Sequence, residues 1–204
     1  MVAHDVAVEL LIIRHALPNR IEIAEGRADP DLSEEGFRQA AALGKWLAAE
    51  QIDAVYASHL VRAQQTAEAI VEGRDLEIVT EHDVAEFDRD ASSYIPFEEI
   101  DRDSAEFKAI VTGDYSAIGG PDPTEFKRKI VDAFDRIIDA HPSQNVAVVC
   151  HAGVINAYFA HVLGLDRTIF FGPDYTSINR VKASNASGLR GVGSLNERAH
   201  LRDL

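Results

Sequence analysis

The sequence predicts an α/β fold: a three-layer α/β/α sandwich with a mostly parallel central sheet and a small cap insertion. Three observations carry that expectation. Short apolar runs alternate with longer amphipathic stripes along most of the chain, the rhythm of strand and crossover helix. One run, Val146–Cys150, is apolar throughout and rich in valine, as a strand buried on both faces of a parallel sheet should be. The chain has 204 residues, 46% hydrophobic and 26% charged, which is enough to bury one sizeable core without disulfides or metals.

Each element has a local reason. Val6–Ile13 is the first predicted strand, followed by Ile52–Ala57, Leu76–Thr80 and then Val146–Cys150. The first helix should open with Ser33 as its cap, with Glu34 and Glu35 in the first turn, where the helix dipole favours acids. Its expected buried stripe is Phe37, Ala40, Ala41, Gly44, Leu47 and Ala48. A second helix follows Ser58 and turns Ala63, Ala67 and Ile70 inward. A third opens with Asp122 as cap, Pro123 at the first helical position and Glu125 three residues on. It buries Phe126, Ile130, Phe134, Ile137 and Ile138 and stops before Pro142. A fourth runs from Val154 to Leu163 and is closed by Gly164. Ser177–Ala183 and Gly188–Leu195 read as further strand at the sheet edge. Residues 81–122 break the alternation, with one expected helix (Phe97–Val111) among loops. They read as a cap inserted into a single domain spanning residues 1–204.

Composition narrows the partners. The chain carries 20 Lys+Arg against 34 Asp+Glu, a formal charge of −14. That excess argues against a nucleic-acid surface or an anionic-membrane surface, which need clustered bases, while leaving room for a small cationic pocket. The N-terminal run MVAHDVAVELLII has no basic flank, and Asp5 and Glu9 interrupt it, so it does not read as a targeting segment. The longest apolar runs, such as Leu10–Ile13, fall far short of the ~20 residues of a membrane-spanning helix. One cysteine excludes an internal disulfide. The expectation is a soluble cytoplasmic protein with no nucleic-acid or membrane partner. No heptad or apolar surface stripe speaks to oligomeric state, so a homo-oligomer stays open.

In open α/β sheets, ligands bind beyond the carboxyl ends of the strands. The first strand runs into Arg14-His15, the second into Ser58-His59 with Arg62 one turn into the helix, and the fourth into Cys150-His151. Two histidines and two arginines from distant segments thus converge on one edge. Singly, each has a plainer explanation: an Arg-His pair after a strand is more often a solvated turn, and His151 could merely cap its helix. Arg62, however, sits in an N-terminal turn where the dipole disfavours a cation by roughly 0.3–1 kcal/mol, and a bound anion reverses that penalty. Together these residues point to a phosphate site.

At this point the residues match a known pattern. Leu11-Ile12-Ile13-Arg14-His15-Ala16 resembles the Arg-His-Gly signature of the histidine phosphatase superfamily, the phosphoglycerate mutase-like proteins. Leu32-Ser33-Glu34-Glu35-Gly36 resembles its helix-opening motif, and Ser58 to Ala67 is similar to its Ser-x-Leu-x-Arg-Ala-x-x-Thr-Ala segment. Val148 to Gly153 is similar to the element that carries its second histidine. The resemblance runs from Val8 to His200.

The resemblance implies residue roles. His15 would attack phosphorus and form a phosphohistidine. Arg14, Arg62 and His151 would surround the phosphoryl oxygens without a metal or other cofactor. A carboxylic acid after the third strand would protonate the leaving group and later activate water. Glu86 aligns best with that acid, with Asp83, Asp88 and Asp90 left open. Where the family often has Thr and Asn after its first motif, this chain has Pro18 and Ile21, and Asn19 and Arg20 are the expected substitutes in phosphate binding. Ala16 and Ala152 stand where glycine is usual, which requires that neither has a positive φ.

The other histidines read as superficial (His4, His82, His141, His161), as packing (His200) or as pocket rim (His59), and none shows metal-ligand spacing. Cys150 is expected to be a buried strand residue, because the sixth position after it is Asn156 and not the arginine of a cysteine phosphatase. Phosphatase and phosphomutase share this site, and a mutase needs extra cations for a second phosphate. Residues 81–122 hold only Arg89, Arg102 and Lys108 against twelve acids, which favours the phosphatase branch. The expected activity is therefore a metal-independent phosphomonoesterase acting on a small phosphorylated metabolite. The alternatives are a phosphoglycerate mutase-type phosphomutase and a non-catalytic scaffold that binds phosphorylated ligands. The second is weakened because both histidines, both arginines and an acid are all present. Ile21, Ile23, Phe87, Tyr94 and Phe97 are candidates for an apolar cap wall.

Overall fold

The computed structural model describes residues 7–204, so His4 and the expected strand start at Val6 lie outside the described residues. In chain order the elements are β1 (Val8–Arg14), β2 (Ile21–Glu22), α1 (Glu34–Leu47), β3 (Ala54–Ala57), α2 (Val61–Val71), β4 (Ile78–Thr80), β5 (Ser93–Tyr94), α3 (Ala105–Thr112), α4 (Pro123–Ala140), β6 (Asn145–Cys150), α5 (Ala152–Val162), β7 (Ile178–Ala183) and β8 (Arg190–Glu197). The main sheet has the order β4-β3-β6-β1-β7-β8. Its first four strands are parallel, and β7 and β8 are antiparallel to their neighbours.

Period-two alternation along β1 builds the layers. Leu10 and Ile12 face the side covered by α4 and α5, where they pack with Val146, Val148, Phe134 and Phe159. Leu11 and Ile13 face the side covered by α1 and α2, packing with Ala147, Val149, Leu43 and Ala67. Both faces are dry, which is why β1 and β6 read as unbroken apolar runs. The α/β sandwich expected from the sequence is the fold observed, with one correction to its edge. β7 is an interior strand, paired on one side with β1 and on the other with β8, and only β8 lies at that edge. Its Ile178, Asn179, Val181 and Ala183 are all buried.

The helix caps are where expected. Ser33 Oγ accepts from Gly36 N–H (3.0 Å), and Asp122 Oδ1 accepts from Glu125 N–H (2.9 Å). The α4 stripe is buried as its sequence spacing predicts. The α1 stripe is not. Gly36, Ala40, Leu43 and Leu47 are buried, whereas Phe37 is 50% exposed and Ala41 and Ala48 face solvent. The cause is a close approach that only a glycine allows: a Cβ at Gly36 would collide with the Leu17 carbonyl. Pinning Gly36 inward sets the helix rotation and turns Phe37, about 100° further round, outward.

Residues 81–122 also differ from expectation. The helix shrinks to α3, because Ser104 caps it through Phe107 N–H and Gly113, in the left-handed region, ends it. Phe97 belongs to a separate short turn following Pro96. β5 pairs antiparallel with β2 in a two-stranded sheet, Ile21 opposite Tyr94, which the sequence did not suggest. Among the described residues, no helix is long and apolar enough to cross a membrane.

Candidate active site

Strand register assembles the first half of the site. β1 and β6 run parallel with Arg14 opposite Cys150, and His15 N–H donates to the Cys150 carbonyl (2.9 Å). His15 and His151 therefore leave adjacent strands side by side, with ring centroids 5.0 Å apart. The Arg14 guanidinium donates to the Pro173 carbonyl (2.8 Å) and lies 3.7 Å over the Tyr175 ring.

α2 supplies the second arginine. Arg62 is its second residue, 1% exposed, 4.7 Å over the Tyr94 ring and 3.4 Å from the Asp88 carboxylate. Thr66 ties this helix to the loop after β1: its hydroxyl accepts from Ala16 N–H (2.9 Å) and donates to the Arg62 carbonyl (2.7 Å). Asp29, from the loop before α1, accepts from Val61 N–H (2.9 Å) and so caps the helix that its own N-cap residue, Leu60, leaves uncapped.

The acid comes from the segment after β4. Glu86 is 7% exposed and its carboxylate accepts from Gly153 N–H (2.9 Å) and Phe87 N–H (3.1 Å). Any Cβ at Gly153 would strike that carboxylate, so the start of α5 must be glycine there for Glu86 to sit where it does. Glu86, His15, Arg14 and Arg62 line one cavity of about 820 Å³.

Burial and charge set the protonation states. His15 Nδ1 lies 2.7 Å from the Ala16 carbonyl, which fixes the proton there and leaves Nε2 with its lone pair. Burial, then Arg62 and Arg14, hold the His15 ring well below the usual imidazole pKa, so it is neutral. His151 is depressed the same way, by burial, Arg62 and His15, and neither of its ring nitrogens has a partner among the described residues. Arg62 Nε is likewise buried without an acceptor among the described residues. A tetrahedral oxyanion offers acceptors to such a set. Glu86 is pushed up to about 7, by burial first and the Asp88 charge second, against the two N–H donors and Arg62.

His15, His151, Arg14, Arg62 and Glu86 are thus brought together, but two expected phosphate ligands are not. Asn19 donates its amide to the Leu32 carbonyl (3.2 Å), and Arg20 is exposed and paired with Glu99 (3.3 Å). Neither lines the cavity. A bridge between Pro18 and Leu32 fastens this stretch to the approach to α1, and Arg20 leads away into β2. Of the other acids, Asp88 and Asp90 line the cavity, with Asp90 exposed and paired with Arg89 (3.6 Å), while Asp83 pairs with Arg136 (3.0 Å) outside it.

His59 packs on His82, centroids 4.8 Å apart, and is not a lining residue. Phe87, Tyr94 and Phe97 do line the cavity, and Ile21 and Ile23 do not. Among the described non-glycine residues only Ser143, Thr176 and Asn196 have positive φ, so Ala16 and Ala152 are unstrained. Cys150 is fully buried, and burial raises its thiol pKa.

Sequence reasoning missed Tyr175, which carries no periodic signal, and Asn156. Asn156 is buried in α5, where its side chain accepts from Phe170 and Phe171 N–H and donates to the Phe171 carbonyl, fixing one cavity wall. A lone polar residue inside an otherwise apolar helix was the available clue.

The model of the histidine phosphatase superfamily (branch 1) matches residues 10–189. Phosphoserine phosphatase 1 from Hydrogenobacter thermophilus is 31% identical over 177 residues, covering 83% of this chain and 84% of that protein. A phosphoserine phosphatase mutant from Entamoeba histolytica, solved with phosphoserine, superimposes with a TM-score of 0.73 at 21% identity, over 95% of this chain and 99% of that one. A mycobacterial glucosyl-3-phosphoglycerate phosphatase solved with VO3 gives 0.77 at 22% identity, over 93% and 99%. At these identities the two structures speak to the fold.

Proposed function

The chain belongs to the histidine phosphatase superfamily, and on that basis we propose that it is a phosphomonoesterase acting through a phosphohistidine on a small phosphorylated metabolite. The observation that carries the reading is the His15 Nδ1–H bond to the Ala16 carbonyl, which leaves Nε2 as a neutral nucleophile in a pocket with two guanidinium groups. In this reading Nε2 attacks phosphorus as the ester P–O bond breaks, and Glu86 gives its proton to the departing alkoxide. Water then attacks the phosphohistidine, losing its proton to Glu86, and releases phosphate and free His15. Arg14, Arg62 and His151 hold the three phosphoryl oxygens throughout, the two guanidinium groups supplying the positive charge without calling on a metal.

Hydrolysis is favoured over phosphoryl return to a second site. Among the described residues, Arg89 is the only cation lining the cavity beyond Arg14 and Arg62, and it lies 3.6 Å from Asp90. Among the described lining residues a second phosphate would meet one cation, Arg89, beside several acids. Residues 81–122 act as the cap over this site. Trapping with a radiolabelled substrate should give an acid-labile, base-stable adduct on the wild-type protein that is absent in His15→Ala. An acid-stable adduct, or label that survives the substitution, overturns the reading.

A further inference from the structure

A three-carbon phosphate does not need this cavity. At about 820 Å³ it has the size of pockets that enclose ligands of drug dimensions. Away from the phosphate-binding residues it has an apolar patch: Ile95, Phe97 and Ile100 from the cap segment, Ile110 of α3, Ile118, and Phe171 after α5. Phe97 is 39% exposed and stacks on Phe107 (centroids 5.3 Å), a large ring held in place with one face uncovered.

Acids outnumber bases on the rest of the lining. Besides Glu86, the cavity is lined by Asp88, Asp90, Glu106 and Asp174. Arg62, Arg89 and Arg198 already pair with Asp88, Asp90 and Asp174, and Glu106 is exposed on the first turn of α3. A carboxylate on the leaving group would meet these acids, and beyond Arg14 and Arg62 the one guanidinium among the described lining residues, Arg89, already lies 3.6 Å from Asp90. The relatives named for phosphoserine and glucosyl-3-phosphoglycerate act on carboxylate-bearing esters, so this wall differs from what such a substrate calls for.

We infer that the site takes a phosphomonoester of a bulky apolar alcohol that carries no carboxylate, such as an aryl-alkyl phosphate, seated against Phe97 and the surrounding isoleucines. The inference rests on the phosphatase reading above. The chemistry is that already given: the ester P–O bond breaks, Glu86 protonates the alkoxide, and the apolar alcohol departs.

Comparison of 3-phenylpropyl phosphate, ethyl phosphate, O-phosphoserine and 3-phosphoglycerate tests it, because all four are primary alkyl esters whose differences lie in what the wall touches. kcat/KM for the phenylpropyl ester should exceed each of the others by about tenfold or more, since even one methylene in an apolar pocket is worth about that much. Phe97→Ala should cut the phenylpropyl-to-ethyl ratio about tenfold, a ratio that a general loss of fold leaves alone. Glu106→Lys should raise kcat/KM for 3-phosphoglycerate severalfold. Equal values across the panel, a lead for either carboxylate ester, or a ratio indifferent to Phe97 overturns the inference while the phosphatase reading stands. Failure to turn over any ester, p-nitrophenyl phosphate included, overturns both.

Discussion

Glu86 and His15 are tuned in opposite directions by the same burial. Removal from water disfavours charge, so it lifts the carboxyl to about 7 and keeps the imidazole neutral. Near neutrality each then holds the protonation state that the first step requires, acid protonated and nucleophile bare. Only protonated Glu86 can donate, so phosphoenzyme formation from an alkyl phosphate should fall as pH rises through about 7. Asp88 raises that value by its charge and also draws on Arg62, which lowers it. Asp88→Asn should therefore move the alkaline limb to lower pH, read from pre-steady-state bursts across a pH series. Glu86→Gln should suppress the alkyl burst about 10²–10⁴-fold and spare that of a nitrophenyl ester, whose leaving group needs no proton. If Asp88→Asn abolishes the alkyl burst and Glu86→Gln does not, the acid is Asp88.

The secondary elements explain why the family motifs are spaced as they are. Thr66, one turn along α2 from Arg62, joins that helix to the loop after β1 through one hydroxyl. Thr66→Val keeps the shape but leaves the buried Ala16 N–H without an acceptor, a cost of about 1–3 kcal/mol. A urea titration should show that loss, and the labelling rate of His15 should fall with it as the loop loosens. Unchanged stability would show that Ala16 finds another partner. What was legible at this scale follows the same logic. Strands β1, β3 and β6 could be read because each is a buried run ending in polar residues, and α4 because cap, proline and stripe agree. The rotation of α1 could not, since it depends on Gly36 meeting the Leu17 backbone, a contact between separate segments. Neither could the β2–β5 pair, because two-residue strands carry no period.

Across the whole molecule, topology was the legible part and the cap the illegible one. Four site residues, Arg14, His15, Arg62 and His151, lie at or just beyond the ends of parallel strands or near a helix start, where the sheet rule directs attention. Asn19 and Arg20 failed because their placement depends on how the loop after β1 is fastened to Leu32, which no local pattern encodes. The charge distribution has the same global character. The chain is formally −14, yet its two most buried guanidinium groups, Arg14 at 6% and Arg62 at 1% exposure, face the cavity. Those two charges match a phosphate dianion, and a site already neutralised in this way gains little from a divalent cation. Among the described residues, no three His, Cys, Asp or Glu side chains cluster as metal ligands. The many surface acids would still attract divalent ions loosely, so binding of magnesium alone would say nothing about the reaction. The rate is the discriminating quantity. Dialysis against a chelator should leave kcat unchanged for both alkyl and aryl esters, and added magnesium should not raise it. A loss on dialysis that one divalent ion specifically restores would place that ion, and not the arginine pair alone, opposite the developing charge.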